Sequence, residues 1–377
     1  MPTTRSPVSR PTAATYARRR VTALLALAVV VAIVLWIVFA GGGSGAPSRQ
    51  ASAVTHTSAA RTRTRRASHR SAPAGLPLTG ITPDHWDALT ESPTARGEVS
   101  AARIGDDVYV VGGFNAAGQT SAVVQRLNLR TDRWAGVPSM PQALNHMSAV
   151  SYGGKLYVVG GYASPGDSST GATRGFWRYD PATRRWSSMP DAPAARAAAG
   201  AAVLGHRLYV AGGRNDATSA LSSLAIFDFD SGRWTLGPSL AHPREHVAAV
   251  AAAGSIWVLG GRALGVGNFT YAERYTPGAS AWQEMPSLPV ARSGFQAVAT
   301  GGGIVVVGGE DGAQTVGEVD RFGLRSGRWS RLADLPVPRH GLGVVADGPL
   351  VFAIDGGPQA GLTMSRLVSR LRVVPSS

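Results

Sequence analysis

A glycine doublet closes an apolar run six times in this chain. The doublets are Gly112-Gly113, Gly160-Gly161, Gly212-Gly213, Gly260-Gly261, Gly308-Gly309 and Gly356-Gly357, and successive first glycines stand 48, 52, 48, 48 and 48 residues apart. Tryptophan keeps the same rhythm: Trp86, Trp134, Trp186, Trp234, Trp282 and Trp329 are spaced 48, 52, 48, 48 and 47. Seven residues before each of the last five stands Leu127, Tyr179, Phe227, Tyr275 or Phe322. A period of this length is the mark of a repeat architecture, in which each unit buries its apolar face only against its neighbours.

Each unit reads as four short strands. The first is small and apolar (SAVSY in the second repeat), the second ends on the glycines, the third carries the ring and the fourth carries the tryptophan. Two-residue turn signals such as Gly153-Gly154, Gly205-His206 and Asp347-Gly348 separate the first two strands, which suits tight hairpins. With 47 glycines and no collagen period, a helical protein is excluded. The combination of glycine pair, aromatic and tryptophan resembles the kelch repeat over about residues 84–375. The resemblance implies an all-β, six-bladed kelch-type β-propeller with one blade per repeat. In such a ring glycine serves where backbones approach closely, and large rings fill the gaps between twisted sheets.

The copies are imperfect, and one imperfection shows how the ring closes. The sixth repeat has Ala353-Ile354-Asp355 before its glycines and no tryptophan after them. Only one further strand, Leu367–Val374, fits before the chain ends, whereas Trp86 in DHWDAL belongs to no repeat of its own. Asp84–Leu89 is therefore expected to supply the fourth strand of the sixth blade and to cover its edge.

The net charge of +14 invites a nucleic-acid reading, but its distribution argues for none. Eleven arginines and no acidic residue lie in residues 1–75, leaving 26 basic against 23 acidic residues in the rest. Residues 1–20 read as a basic cytoplasmic tail and residues 21–40, VTALLALAVVVAIVLWIVFA, as a transmembrane signal anchor. Twenty helical residues span about 30 Å of hydrocarbon. Arg18-Arg19-Arg20 before the run and Trp36 near its end orient the N-terminus inward, leaving the propeller extracytoplasmic on the cell membrane. A cleaved signal peptide exiting at Val38-Phe39-Ala40 is the alternative and gives the same side. Residues 41–80 have almost no large apolar residues and read as a disordered, flexible linker, and residues 81–377 as the propeller. The Arg61–Arg70 cluster reads as a solvated part of that linker, or as a contact to anionic lipid or wall polymer. A single lysine, Lys155, against many arginines fits a GC-rich bacterial genome.

Ten residues after the tryptophans come Arg96, Leu144, Arg196, Arg244, Arg292 and Arg339, at the lead-in to each innermost strand. Two residues further on are Glu98, His146, Ala198, His246, Gly294 and Gly341. The arginines suit either of two roles, a ring that captures anions at the channel mouth or cross-links between blades through backbone carbonyls. Arg96, Glu98, His146, Arg196, Arg244, His246, Arg292 and Arg339 are accordingly the candidate ligand-binding residues. His146, His246 and His340 suggest a metal, but His340 is one residue out of step and no carboxylate tracks with the three, so neither metal nor cofactor is expected. The loops after the doublets vary most, Tyr162–Thr173 being the longest, and variable loops on a rigid scaffold are where specificity collects. Asn268-Phe269-Thr270 matches a glycosylation sequon.

The absence of cysteine excludes thiol catalysis, disulfides and the Cys-linked tyrosine of the galactose-oxidase-like copper oxidases. No nucleophile elbow, HExxH pair or phosphate loop occurs. Two functions remain. The first is a recognition module whose mouth face binds a protein or an anionic glycan. The second is a carbohydrate-processing enzyme resembling the bacterial sialic acid mutarotases, with Glu98 and Arg96, or Glu310 and Arg262, as acid–base and anion-binding pairs.

Overall fold

The computed structural model describes residues 76, 78–165, 170–216 and 220–374. The expected tail, the segment 21–40 and nearly all of the linker lie outside the described residues, as does part of the loop Tyr162–Thr173. No helix among the described residues is long and apolar enough to cross a membrane.

Six four-stranded antiparallel sheets follow one another along the chain. In the first blade they are Ser100–Ile104, Asp107–Val111, Val124–Asn128 and Arg133–Val137, ordered as in the sequence from the inner to the outer strand. Blades two to five span residues 148–188, 200–237, 248–285 and 296–331 in the same way. The sixth takes Gly343–Asp347, Leu350–Ile354 and Val368–Arg372 from its own repeat and Trp86–Ala88 from the other end of the chain. That outer strand pairs antiparallel with Val368–Arg372, Trp86 opposite Leu371 and Ala88 opposite Ser369.

The second strand of each blade is apolar after its first residue because both of its faces are covered. Leu156, Val158 and Val159 are at most 2% exposed, and so are Val305, Val306 and Val307. An alternating pattern would place polar groups in one of two cores, so these strands read as continuous Val, Ile, Leu and aromatic runs. The cores lie between consecutive blades. Leu156, Val158 and Tyr179 of blade two pack on Ala102, Val111 and Val124 of blade one, and similar clusters join blades two and three, three and four, four and five, and five and six. Phe352 and Ile354 of blade six meet Val108 and Leu127 of blade one, which completes the circle.

The tryptophans act on this geometry through both the ring and the ring N–H. Each indole Nε1 donates to a backbone carbonyl just beyond the outer strand of the preceding blade. Trp186 reaches Pro138, Trp234 reaches Pro190 and Trp282 reaches Pro238, at 2.8–2.9 Å. Trp134 reaches Thr90, Trp329 reaches Pro286 and Trp86 reaches Ala333, at 2.9–3.1 Å. Trp86 is fully buried, whereas the other five are half-buried and contribute less burial energy.

The glycine doublet is explained at Gly212-Gly213, with φ of 65° and 93°. A Cβ on Gly212 would stand 2.6 Å from the Arg244 carbonyl oxygen of the next blade, and one on Gly213 would stand 2.7 Å from the Ala197 carbonyl of its own. The pair is thus pressed between two backbones, in a conformation side chains disfavour. In the sixth repeat the sequence reading needs correction. Gly356, not Gly357, donates to the next blade, at 2.9 Å to the Arg96 carbonyl. Asp355, with φ of 57°, stands in the first glycine's place. The true doublet position is Asp355-Gly356, one residue earlier than the two glycines suggest.

Candidate functional site

The arginines ten residues after the tryptophans lead into the inner strands, but they do not line an open mouth. Arg96, Arg196, Arg244, Arg292 and Arg339 are 0–1% exposed. Arg196 Nη1 donates to the carbonyls of Val210, Gly212 and Ser223 at 3.2–3.3 Å, all in its own blade. Arg96 repeats the arrangement with Val110, Gly112 and Val123. Arg244 pairs with Glu273 at 2.9 Å and Arg292 with Asp320 at 2.8 Å. Meanwhile the main-chain carbonyls of Arg196, Arg244, Arg292 and Arg339 accept from Gly161, Gly213, Gly261 and Gly309 of the preceding blades at 2.8–2.9 Å. Each arginine therefore ties its own blade through the guanidinium and the preceding one through its carbonyl. Burial lowers Arg196 and Arg339 to about 10, still charged at neutral pH. Of the two expected roles, the geometry builds the linking one and leaves no guanidinium of the five to capture a soluble anion.

The residue after each arginine, or after Leu144, begins the mouth. Gly97, Asn145, Ala197, Glu245, Ser293 and His340 pair with Phe114, Tyr162, Arg214, Arg262, Glu310 and Gly357, the residues that follow the doublets. His340 is thus a regular member of this ring rather than a displaced member of the next one.

The next ring consists of Glu98, His146, Ala198, His246, Gly294 and Gly341, all left-handed with φ of 51–63°. The N–H groups of His146, Ala198, His246, Gly294 and Gly341 each donate to the ring carbonyl of the preceding blade at 2.7–3.3 Å. Val99 N–H completes the belt by donating to Gly341 at 3.1 Å. Two glycines meet this conformation without strain, but Glu98, His146, Ala198 and His246 do not. Non-glycine residues held left-handed cost about 1–2 kcal/mol each and are retained where something compensates.

Three of those four residues converge. His146 Nε2 lies 3.2 Å from Glu98 Oε2, and the His146 and His246 rings meet edge-on with centroids 4.7 Å apart. The expectation that no carboxylate tracks with the histidines is overturned, since Glu98 holds the equivalent position in the first repeat. The donor atoms of Glu98, His146 and His246 all lie within 4.8 Å of one another, so these are the residues able to hold a metal. They line a cavity of about 40 Å³ on the channel axis. Next to it Ser100, Ala149, Gly200, Ala201 and Ala297 line a second cavity, of about 100 Å³.

Around this centre runs a network of acids and bases. His340 Nδ1 is 3.0 Å from Glu98 Oε1. Arg262 joins Glu245 at 2.9 Å and Glu310 at 2.6 Å. His246 Nδ1 is 2.6 Å from Glu245 Oε2. Burial opposes the charge on Glu98, but His146 and His340 beside it hold its carboxyl well below the usual carboxylate range. Burial also opposes protonation of His340, yet Glu98 and Glu310 raise it to about 9. His146, by contrast, is held down to about 4 by burial and is neutral at pH 7. Burial works against Glu245 as well, and His246 with Arg262 brings it to about 2.

Sequence reasoning singled out Glu98, His146 and His246, and the fold brings them together. It also named the pair Glu310 and Arg262, which are in contact, whereas Arg96 points into its blade and away from solvent. It missed Asn145 and Glu245, which precede the histidines by one residue and orient them.

The KLHDC2/KLHL20/DRC7 Kelch-repeats domain matches residues 82–261, and the Kelch motif matches residues 291–336. With six blades of this form, the chain belongs to the kelch-repeat β-propeller family. Propellers of this family commonly serve as protein-interaction modules. No curated protein matches the chain.

Proposed function

We propose that this protein is a membrane-tethered, extracytoplasmic kelch propeller that recognises a protein partner with the blade-four side of its mouth face. The apolar run at residues 21–40 and the arginines before it support the tether and its orientation. The recognition reading rests on one observation. A short hairpin, Arg262–Ala263 paired with Gly267–Asn268, holds Leu264 and Val266 out at its tip, 48% and 74% exposed. Beside it His242, Tyr271 and Phe269 form a stack, with ring centroids 3.9 and 4.9 Å apart. Large apolar side chains fixed in solvent on an ordered loop suit insertion into an apolar cleft of another protein.

A sugar substrate is favoured less. The cavity of about 40 Å³ at the mouth is far below the roughly 300–1,000 Å³ of small-molecule sites. Glu310 and Arg262 are already committed to each other.

The test treats intact cells expressing the full chain with a membrane-impermeant cross-linker. The expected result is a discrete cross-linked partner that the Leu264→Asp/Val266→Asp double variant forms at least tenfold less, with an unchanged melting temperature. Equal cross-linking by the double variant overturns the docking site, and cross-linking only after lysis overturns the location.

A further inference from the structure

We infer that Glu98, His146 and His246 form a binding site for a divalent transition-metal ion of the zinc type on the propeller axis. The neighbours of the two imidazoles fix which ring nitrogens carry hydrogen. Thr120 Oγ1 donates to the Ser164 carbonyl at 2.8 Å, so it must accept from Asn145 Nδ2, also 2.8 Å away. That fixes the Asn145 amide with its oxygen toward His146 Nδ1, at 2.6 Å. The only hydrogen available to that contact is on Nδ1, so the neutral ring presents a bare Nε2. His246 arrives at the same state differently: its Nδ1 donates to the Glu245 carboxylate at 2.6 Å, leaving Nε2 as an acceptor.

Two imidazole lone pairs and a carboxylate oxygen therefore face one cavity. His146 Nε2 faces Glu98 Oε2 across 3.2 Å, a nitrogen–oxygen pair placed for a cation to bridge. Ligating histidines ordinarily donate their second nitrogen to a carboxylate or carbonyl, which fixes the tautomer and raises basicity. Glu245 and Asn145 supply those partners here, and His340 steadies the free oxygen of Glu98. Zinc-type ions bind nitrogen and oxygen at about 2.0–2.2 Å, so tetrahedral donors stand about 3.4 Å apart. One donor pair, at 3.2 Å, already meets that spacing, and the other pairs lie within 4.8 Å. The cavity of about 40 Å³ admits the ion and a water as fourth ligand.

Arg262 is the competitor. Its Nη2 lies 3.2 Å from His246 Nε2, where it donates to the lone pair that the ion would take. The protein's own cation thus occupies the approach to the site, and removing it also leaves Glu245 and Glu310 unbalanced.

The test uses the full chain in detergent, purified without a histidine tag, and titrated with Zn²⁺ or Co²⁺. Wild type is expected to take up one equivalent, with the visible absorption of low-coordinate Co²⁺ and a higher melting temperature in excess metal. His146→Ala, His246→Ala and Glu98→Gln each lose affinity by at least tenfold, and Asn145→Ala by about tenfold. Arg262→Ala binds about tenfold tighter. His206→Ala, at an exposed turn, leaves binding unchanged. Uptake of no metal by both wild type and Arg262→Ala overturns the site, as does undiminished uptake by a folded Glu98→Gln protein.

Discussion

The arginine ring and the left-handed ring stand two residues apart in every repeat, yet they have opposite characters. The arginine positions are nearly uniform, fully buried and engaged with backbone carbonyls. The left-handed positions share one backbone conformation but carry Glu, His, Ala and Gly. Where all blades need the same contact, the residue recurs. Where the backbone alone completes the belt, the side chain is free to vary, and three of the variants meet on the axis. Recurrence in this molecule marks scaffold, and departure from recurrence marks the site.

The largest effect expected from this contrast is at the arginines. Arg244→Ala deletes a guanidinium with no exposure and leaves Glu273 buried and unpaired, so it should cost about 3–5 kcal/mol in urea unfolding. A loss below about 1 kcal/mol would mean that the ring is not a scaffold.

The second effect tests the one doublet that departs from glycine. Asp355 accepts from Ser92 at 2.5 Å and lies 3.4 Å from Arg96, yet burial raises its carboxyl to about 6. The folded state then holds its proton more tightly than the unfolded chain. Wild type should therefore lose stability relative to Asp355→Asn as pH rises from about 4 to 6, by at most about 3 kcal/mol. Denaturant midpoints of the two proteins across that range check it, and a difference that is flat or of opposite slope contradicts the burial argument.

The smallest effect is on the belt itself. Ala198→Gly relieves a left-handed alanine and should stabilise by about 1 kcal/mol, while Gly294→Ala, with room for the methyl, should cost a similar amount. Thermal melts of the pair should move in opposite directions. Movement in the same direction would show that side-chain packing, rather than backbone conformation, governs the ring.

Much of this fold could be read from residues alone, because glycine and tryptophan report on local geometry that repeats six times. Trp86 was legible as the closing strand for the same reason: it was a repeat element without a repeat. The phase of the sixth doublet was hidden because aspartate can take a left-handed backbone as glycine does, and Gly357 supplied a plausible second glycine. The burial of the arginines was also hidden, since guanidiniums such as those of Arg96 and Arg196 rest largely on backbone carbonyls, which no residue type announces. The histidine centre was half legible. Its donors share a repeat position, but Asn145 and Glu245 become meaningful only once Thr120 and Arg262 are seen beside them.

The sixth sheet has a consequence for biosynthesis. Its outer strand is synthesised before the other five sheets and its remaining three strands after them, so a nascent chain that stops short of Val368–Arg372 cannot seal the circle. Until Val368–Arg372 reaches Trp86–Ala88, five finished sheets sit between two open flanks, one on each end of the array. Loss of Val368–Arg372 would return a mature molecule to that open condition, which makes this strand the point at which quality control can distinguish a sealed propeller from an open one.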